Sequence, residues 1–148
     1  MKVLVCGGRD FGNIKNRDRS DFVEKEQEYL FGKDKLEEFA IENSIYYNPD
    51  DNWLPFDIEI ITGMASGADS IGWDWATANW CKVHEYPADW KQHGKSAGYI
   101  RNKQMLEEGE PDIVIAFPGG KGTAMMIKLA KDAGIEVKEI IYENIRNS

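Results

Sequence analysis

No stretch of this chain approaches the roughly 20 consecutive apolar residues that span a bilayer, so no membrane segment is expected. Cysteine is scarce. Cys6 and Cys81 are the two in the chain, and they supply neither a disulfide framework nor a metal-ligand repeat. Both lie in apolar contexts, which reads as buried, reduced thiols of a cytosolic, hence cytoplasmic, protein. Histidine is equally sparse: His84 and His93 flank one short region, no Ser-His-Asp arrangement stands out, and a metal site with Asp89 matches no ligand spacing. Basic charge is also short. A net charge of −8 argues against nonspecific binding to duplex nucleic acid, which needs a basic surface. An anionic ligand would have to be held by a local pocket rather than by a global field. There is no internal repeat, no low-complexity tract and no signature of a resident cofactor or metal.

What remains is ordinary soluble-protein composition over 148 residues, enough for one domain with a full core. Residues 1–6 are too short for a signal peptide and read as a strand buried on both faces. Residues 19–43 have a helical pattern, with Phe22, Val23, Tyr29, Leu30, Leu36, Phe39 and Ala40 as core candidates and Gly32 as a point where the helix divides. An exposed connection is expected over 44–55. Residues 58–62 form a second strand, 68–80 a helix, 82–86 a third strand, 87–94 a loop and 96–108 a helix with Ile100 and Met105 inward. A fourth strand covers 113–117, its helix stops near Gly134, and 135–142 is the last strand. The polar tail 143–148 is expected to fray. Alternating βα units imply an α/β fold, a parallel sheet of about five strands with helices on both faces. Ligands of such sheets sit beyond the carboxyl ends of the strands, where strand order reverses.

Three glycine-bearing loops fall on that edge. Gly7-Gly8-Arg9-Asp10-Phe11 follows the first strand; it is neither a Walker A loop nor a full G-x-G-x-x-G. Arg9 can reach a phosphate with its planar fork or pair with an acidic neighbour such as Asp10. Thr62-Gly63-Met64-Ala65-Ser66-Gly67-Ala68-Asp69 follows the second strand. Asp69 there can cap the next helix or accept ribose hydroxyls. Pro118-Gly119-Gly120-Lys121-Gly122-Thr123 leads from the fourth strand into a helix, and strand, glycine turn and helix N-terminus make a ready anion site. The plain alternative is a tight connection. Asp89 and Trp90 can recognise a base or ribose, or simply close their loop. Arg101 can bind phosphate, and Asn102 can fix a loop or a sugar.

Together with Gly94-Lys95-Ser96-Ala97-Gly98-Tyr99-Ile100-Arg101-Asn102 and Pro87-Ala88-Asp89-Trp90, these motifs resemble the YspA-like family of the SLOG superfamily. The resemblance covers nearly the whole chain except about residues 13–55, a helical insertion and loop that looks longer than usual for the family. It implies a Rossmann-like sheet, residues 1–148 forming one SLOG-like domain, and binding of nucleotides or nucleotide-derived ligands. Relatives include the Lonely Guy phosphoribohydrolases, sensor domains for nucleotide signals including NAD-derived ones, and DNA-processing proteins. Many members are encoded by bacteria and their phages.

The phosphoribohydrolases are matched at Arg101 and at the P-G-G-x-G-T run from Pro118 to Thr123. Their signature continues to a glutamate, and Met126 stands in its place. Methionine can supply neither acid–base nor electrostatic assistance to an oxocarbenium-like transition state. The expectation is therefore a binding module whose ligand contacts come from Gly7, Gly8, Arg9, Thr62, Gly63, Gly67, Asp69, Asp89, Trp90, Arg101, Asn102 and residues 118–123. The alternative is an N-glycosidic hydrolase of nucleoside 5'-monophosphates in which Arg101 and Asp69 or Asp89 carry the chemistry. Trp73 and Trp80 share one helix face and Trp75 lies on another, which calls for a second surface over that helix. A homodimer partner is preferred for it, the segment 13–55 being the alternative.

Overall fold

The computed structural model describes residues 1–43 and 56–143. The connection expected at 44–55, and all of the expected tail but Glu143, lie outside the described residues. The elements run β1 (Lys2–Cys6), α1 (Phe22–Asn43), β2 (Glu59–Thr62), α2 (Ala68–Ala78), β3 (Val83–Glu85), α3 (Trp90–His93), α4 (Ala97–Glu107), β4 (Ile113–Ala116), α5 (Lys121–Asp132) and β5 (Glu136–Glu139). All five strands are parallel, in the order β3-β2-β1-β4-β5. The chain leaves β1 for one side of the sheet and returns through β4 on the other. Strand order therefore reverses between β1 and β4, which is where an open α/β sheet opens a crevice.

Strand alternation sorts the core into two layers. Val3, Val5, Ile60, Ile113 and Ile115 point to one face and meet Leu36, Phe39 and Ala40 of α1 and Ile71 and Trp75 of α2. Leu4, Cys6, Ile61, Val114 and Ala116 point to the other and meet Met105 of α4 and Met126 and Ala130 of α5. Burial on both faces is why β1 and β4 read as continuous apolar runs rather than alternating ones. The sheet ends in the short strands β3 and β5, and Glu136 and Glu139 keep the β5 edge charged, a common guard against edge pairing.

Several details depart from the sequence pattern. α1 begins at Phe22, after a turn in which the Arg19 guanidinium binds Asp10 and Asp21. Gly32 does not divide the helix; it is buried at the crossing with α2, where a Cβ would stand 3.0 Å from Ile71. A small residue there lets two helices approach. Val23 and Leu30, expected in the core, are exposed, as is Ile100 on α4, because the buried stripe of each helix is narrower than its apolar content. Residues 90–93 of the expected loop form α3, and the helix expected to reach Trp80 ends at Ala78. Trp80 takes a left-handed conformation (φ 60°) and is exposed, while the N–H of Cys81 returns to the Ala76 carbonyl at 2.9 Å.

The second surface over α2 is α1. The Trp75 indole N–H donates to Glu37 at 2.7 Å, and the Tyr29 hydroxyl donates to Asp74 at 2.7 Å. Trp73 instead reaches Glu85. Both indole N–H groups of α2 are thus bonded within the chain. Among the described residues, no helix is long and apolar enough to cross a membrane.

Candidate functional site

Above the β1/β4 crevice the three glycine loops lock into one another. The N–H of Gly8 donates to the Pro118 carbonyl at 2.9 Å, and the Gly8 carbonyl accepts from Ala68, the first residue of α2, at 3.1 Å. Side chains would prevent this. A Cβ on Gly67 would stand 2.3 Å from the Gly8 carbonyl oxygen, and one on Gly119 would stand 2.6 Å from the Gly8 nitrogen and 2.2 Å from Oγ1 of Thr123. Gly7 has Ala68 and Phe117 equally close. These glycines are explained by the protein itself.

Gly120 and Gly122 are different. A Cβ on either would meet nothing within 4 Å. They flank Lys121 at the start of α5, a helix whose N-cap is Gly120, with no side-chain cap and no acidic residue in its first turn. The free N–H groups and positive dipole end of such a helix favour an anion. Internal packing does not require glycine at either position.

The crevice is a cleft of about 850 Å³. It is lined by Gly7, Gly8, Arg9, Asp69, Arg101, Asn102 and every residue from Pro118 to Thr123. Gly63 and Trp90 line a smaller adjoining pocket. Thr62, Gly67 and Asp89 line neither. Thr62 is buried, donating to the Asp69 carbonyl at 3.1 Å and accepting from Met64, and Asp89 caps α3 through the N–H of Gln92. Arg9 does not pair with Asp10, whose carboxylate is held by Arg19 and Lys25. Its guanidinium lies 4.9 Å from the centre of the Trp90 ring, a cation–π contact.

Asp69 is the buried acid of the cleft. Its Oδ2 accepts the N–H of Ala65 at 3.1 Å. Burial pushes its pKa up to about 6, against the pull of that hydrogen bond and of Arg101 and Arg9. Arg101 is also buried. Its Nη1 donates to the Gly63 carbonyl at 2.6 Å and its Nε to Oδ1 of Asn102 at 2.9 Å, and Asn102 reaches the Gly122 carbonyl at 3.5 Å. Desolvation and the nearby Arg9 lower its pKa, and Asp69 opposes them; an arginine nonetheless stays charged. Cys6 lies beneath the cleft, and burial together with the Asp69 carboxylate drives its thiol up to about 12. It is no nucleophile at neutral pH.

Sequence reasoning missed Lys25 and Glu28, which bring α1 to the cleft wall. Glu28 accepts the N–H of Gly12 at 3.0 Å and the Lys25 ammonium at 3.0 Å, so α1 is tied to the loop after β1. Their three-residue spacing on one helix face was the available signal, but it is common on solvated helices. Tyr99, exposed on α4, also lines the cleft. Among the described residues, no group of three or more His, Cys, Asp or Glu side chains is placed to hold a metal ion; His84 is paired with Glu59 at 2.9 Å.

Comparison with known proteins adds two findings. The family model described as YspA, cpYpsA-related SLOG family matches residues 50–93, the span of β2, α2, β3 and α3. The Gene 61 protein of Mycobacterium phage D29 is 38% identical over 93 residues, covering 56% of this chain and 71% of the relative. No solved structure matches the chain.

Proposed function

Because this chain belongs to the YspA, cpYpsA-related SLOG family, we propose that it binds a nucleotide or nucleotide-derived ligand in the cleft above β1 and β4. The observation that carries this reading is the start of α5. Two glycines there lack any protein neighbour for a side chain, on a helix end with no capping side chain and no acid. A phosphate at that point would be held by backbone N–H groups, with the Lys121 ammonium beside it. Asp69 would accept ribose hydroxyls, and Asn102 ties the α4 side of the site to the loop through Gly122. The whole chain acts as one ligand-binding domain. Isothermal calorimetry with AMP and ADP-ribose tests the proposal, alongside Gly122→Val, whose side chain would fill the cradle. Binding by the native protein and its loss in the variant are expected. Equal binding by both proteins would overturn the phosphate assignment.

One observation favours a second reading, hydrolysis of the N-glycosidic bond of a nucleoside 5'-monophosphate to base and ribose 5-phosphate. Asp69 is a buried carboxylate inside the cleft, able to stand opposite positive charge developing on a ribose ring. Against it, Met126 on α5 stands in the place that the resemblance gives to the phosphoribohydrolases' glutamate, a buried apolar residue that also lines the cleft. Incubation with nucleoside monophosphates and chromatography for free base separates the two readings. Base release that Asp69→Asn abolishes would establish the hydrolase; binding without release would leave the module.

A further inference from the structure

Next to the main cleft lies a pocket of about 280 Å³ whose walls include Arg9, Lys15, Ser66, Trp90 and Arg101. It shares Arg9 and Arg101 with the larger cleft, so the two spaces are neighbours with a common wall. Three cations line it, and no carboxylate does among the described residues. In a chain of net charge −8, such a concentration of positive charge needs a cause.

The hydrogen bonding points the same way. Arg101 is 9% exposed; its Nη1 and Nε are bonded within the protein, and its Nη2, with no acceptor among the described residues, keeps access to solvent. Arg9 is exposed; it presents one guanidinium face to Trp90, and its N–H groups, with no acceptor among the described residues, are open to solvent or to a ligand. The positive charge of Arg9 disfavours that of Arg101. Asp69, whose charge acts on both, belongs to the larger cleft and spends Oδ2 on the Ala65 N–H. Two guanidinium forks with N–H groups open to one small space, beside a lysine, make a surface complementary to an anion.

We infer that this pocket is a second anion subsite, separate from the α5 helix end, and that the ligand carries two phosphate groups, as in a nucleoside diphosphate or a pyrophosphate-linked dinucleotide. The inference rests on the nucleotide reading for the first subsite. One phosphate would lie at Gly120–Gly122, and the second would bridge Arg9 and Arg101 with Lys15 at its outer side and the Ser66 hydroxyl available as donor. Lys15 comes from the segment that links β1 to α1.

The test uses calorimetry with AMP, ADP and inorganic pyrophosphate, together with NMR of the Trp90 indole N–H. ADP is expected to bind at least tenfold more tightly than AMP, with the Trp90 resonance shifting for ADP. Lys15→Glu and Arg9→Gln should each bring the ADP-to-AMP affinity ratio close to one. If AMP and ADP bind equally and Lys15→Glu leaves the ratio unchanged, the second subsite is overturned while the nucleotide reading stands. Should neither nucleotide bind, but pyrophosphate shift Trp90 in a Lys15-dependent way, the anion subsite survives and the nucleotide reading falls. No response to any of the three probes refutes both.

Discussion

Gly63 and Arg101 are fitted to one another: a Cβ on the glycine would stand 2.4 Å from Nη1 of the arginine, whose hydrogen bond to the Gly63 carbonyl is 2.6 Å long. The end of β2 is thus the floor on which the buried guanidinium rests. It fixes where positive charge stands in both compartments of the site.

Gly63→Ala is accordingly expected to displace Arg101 and to crowd Oδ2 of Asp69, which would lie 2.9 Å from the new methyl group. Overpacking of this kind costs about 1–3 kcal/mol. Urea unfolding should show that loss, and calorimetry should show at least tenfold weaker nucleotide binding. A variant indistinguishable from the native protein in both would remove Gly63 from any role in placing the arginine.

Gly122 and Gly119 should respond in opposite ways. Gly122→Ala adds a methyl group to open space in the first turn of α5, so stability should hold or rise by up to about 1 kcal/mol, while nucleotide affinity falls. Gly119→Ala drives its Cβ into Thr123 and Gly8 and should lower the melting temperature. Thermal melts with and without AMP read both effects. A Gly122→Ala protein that binds AMP like the native chain would end the case for backbone contact with phosphate there.

Asp69 gives a pH dependence of definite sign. Its pKa is about 6 in the fold against an ordinary 3.8 because burial disfavours the carboxylate. Below about pH 4 the group is protonated in both folded and unfolded chains and costs nothing. Between about pH 4 and 6 the unfolded chain loses its proton first, so stability falls as pH rises. Asp69→Asn keeps an acceptor for the Ala65 N–H and removes the charge. It should be more stable than the native protein above pH 6, by up to about 3 kcal/mol, with the difference vanishing near pH 4. Denaturation across that range checks it; parallel curves for the two proteins would contradict the buried charge.

The α1–α2 contact predicts that α1 is integral to the fold. Gly32→Val places branched atoms where even a Cβ would stand 3.0 Å from Ile71 and should destabilise by about 1–3 kcal/mol. Tyr29→Phe removes the hydrogen bond to Asp74 and should cost about 1 kcal/mol. Chemical denaturation of both variants tests this. Normal stability in Gly32→Val would mean that the helices need not approach so closely.

The parallel sheet and the placement of its loops were legible because each rests on a local signal, whereas the strand order β3-β2-β1-β4-β5 was not. Buried strands such as β1 and β4 announce themselves as apolar runs, and glycine turns mark their carboxyl ends. Gly32 was misread because a glycine that breaks a helix and one that admits a neighbouring helix look alike along the chain. Val23, Leu30 and Ile100 were placed inside because periodicity marks apolar positions without giving the width of the buried stripe. Asp89 was drawn into the site by its neighbours, yet its side chain is used in capping α3. Lys25, Glu28 and Lys15 escaped notice because helix packing and loop path bring them to the cleft, and neither is written in local sequence.

The wedging of Gly8 between Pro118 and Ala68 also bears on how tightly an occupant can be held. The tips of three loops surrender their conformational freedom when the chain folds, before any ligand arrives. An occupant then has little backbone left to immobilise, and its own contacts reach the binding constant largely undiminished. The interlocked loops thus set the affinity of an occupant through order already present in the fold.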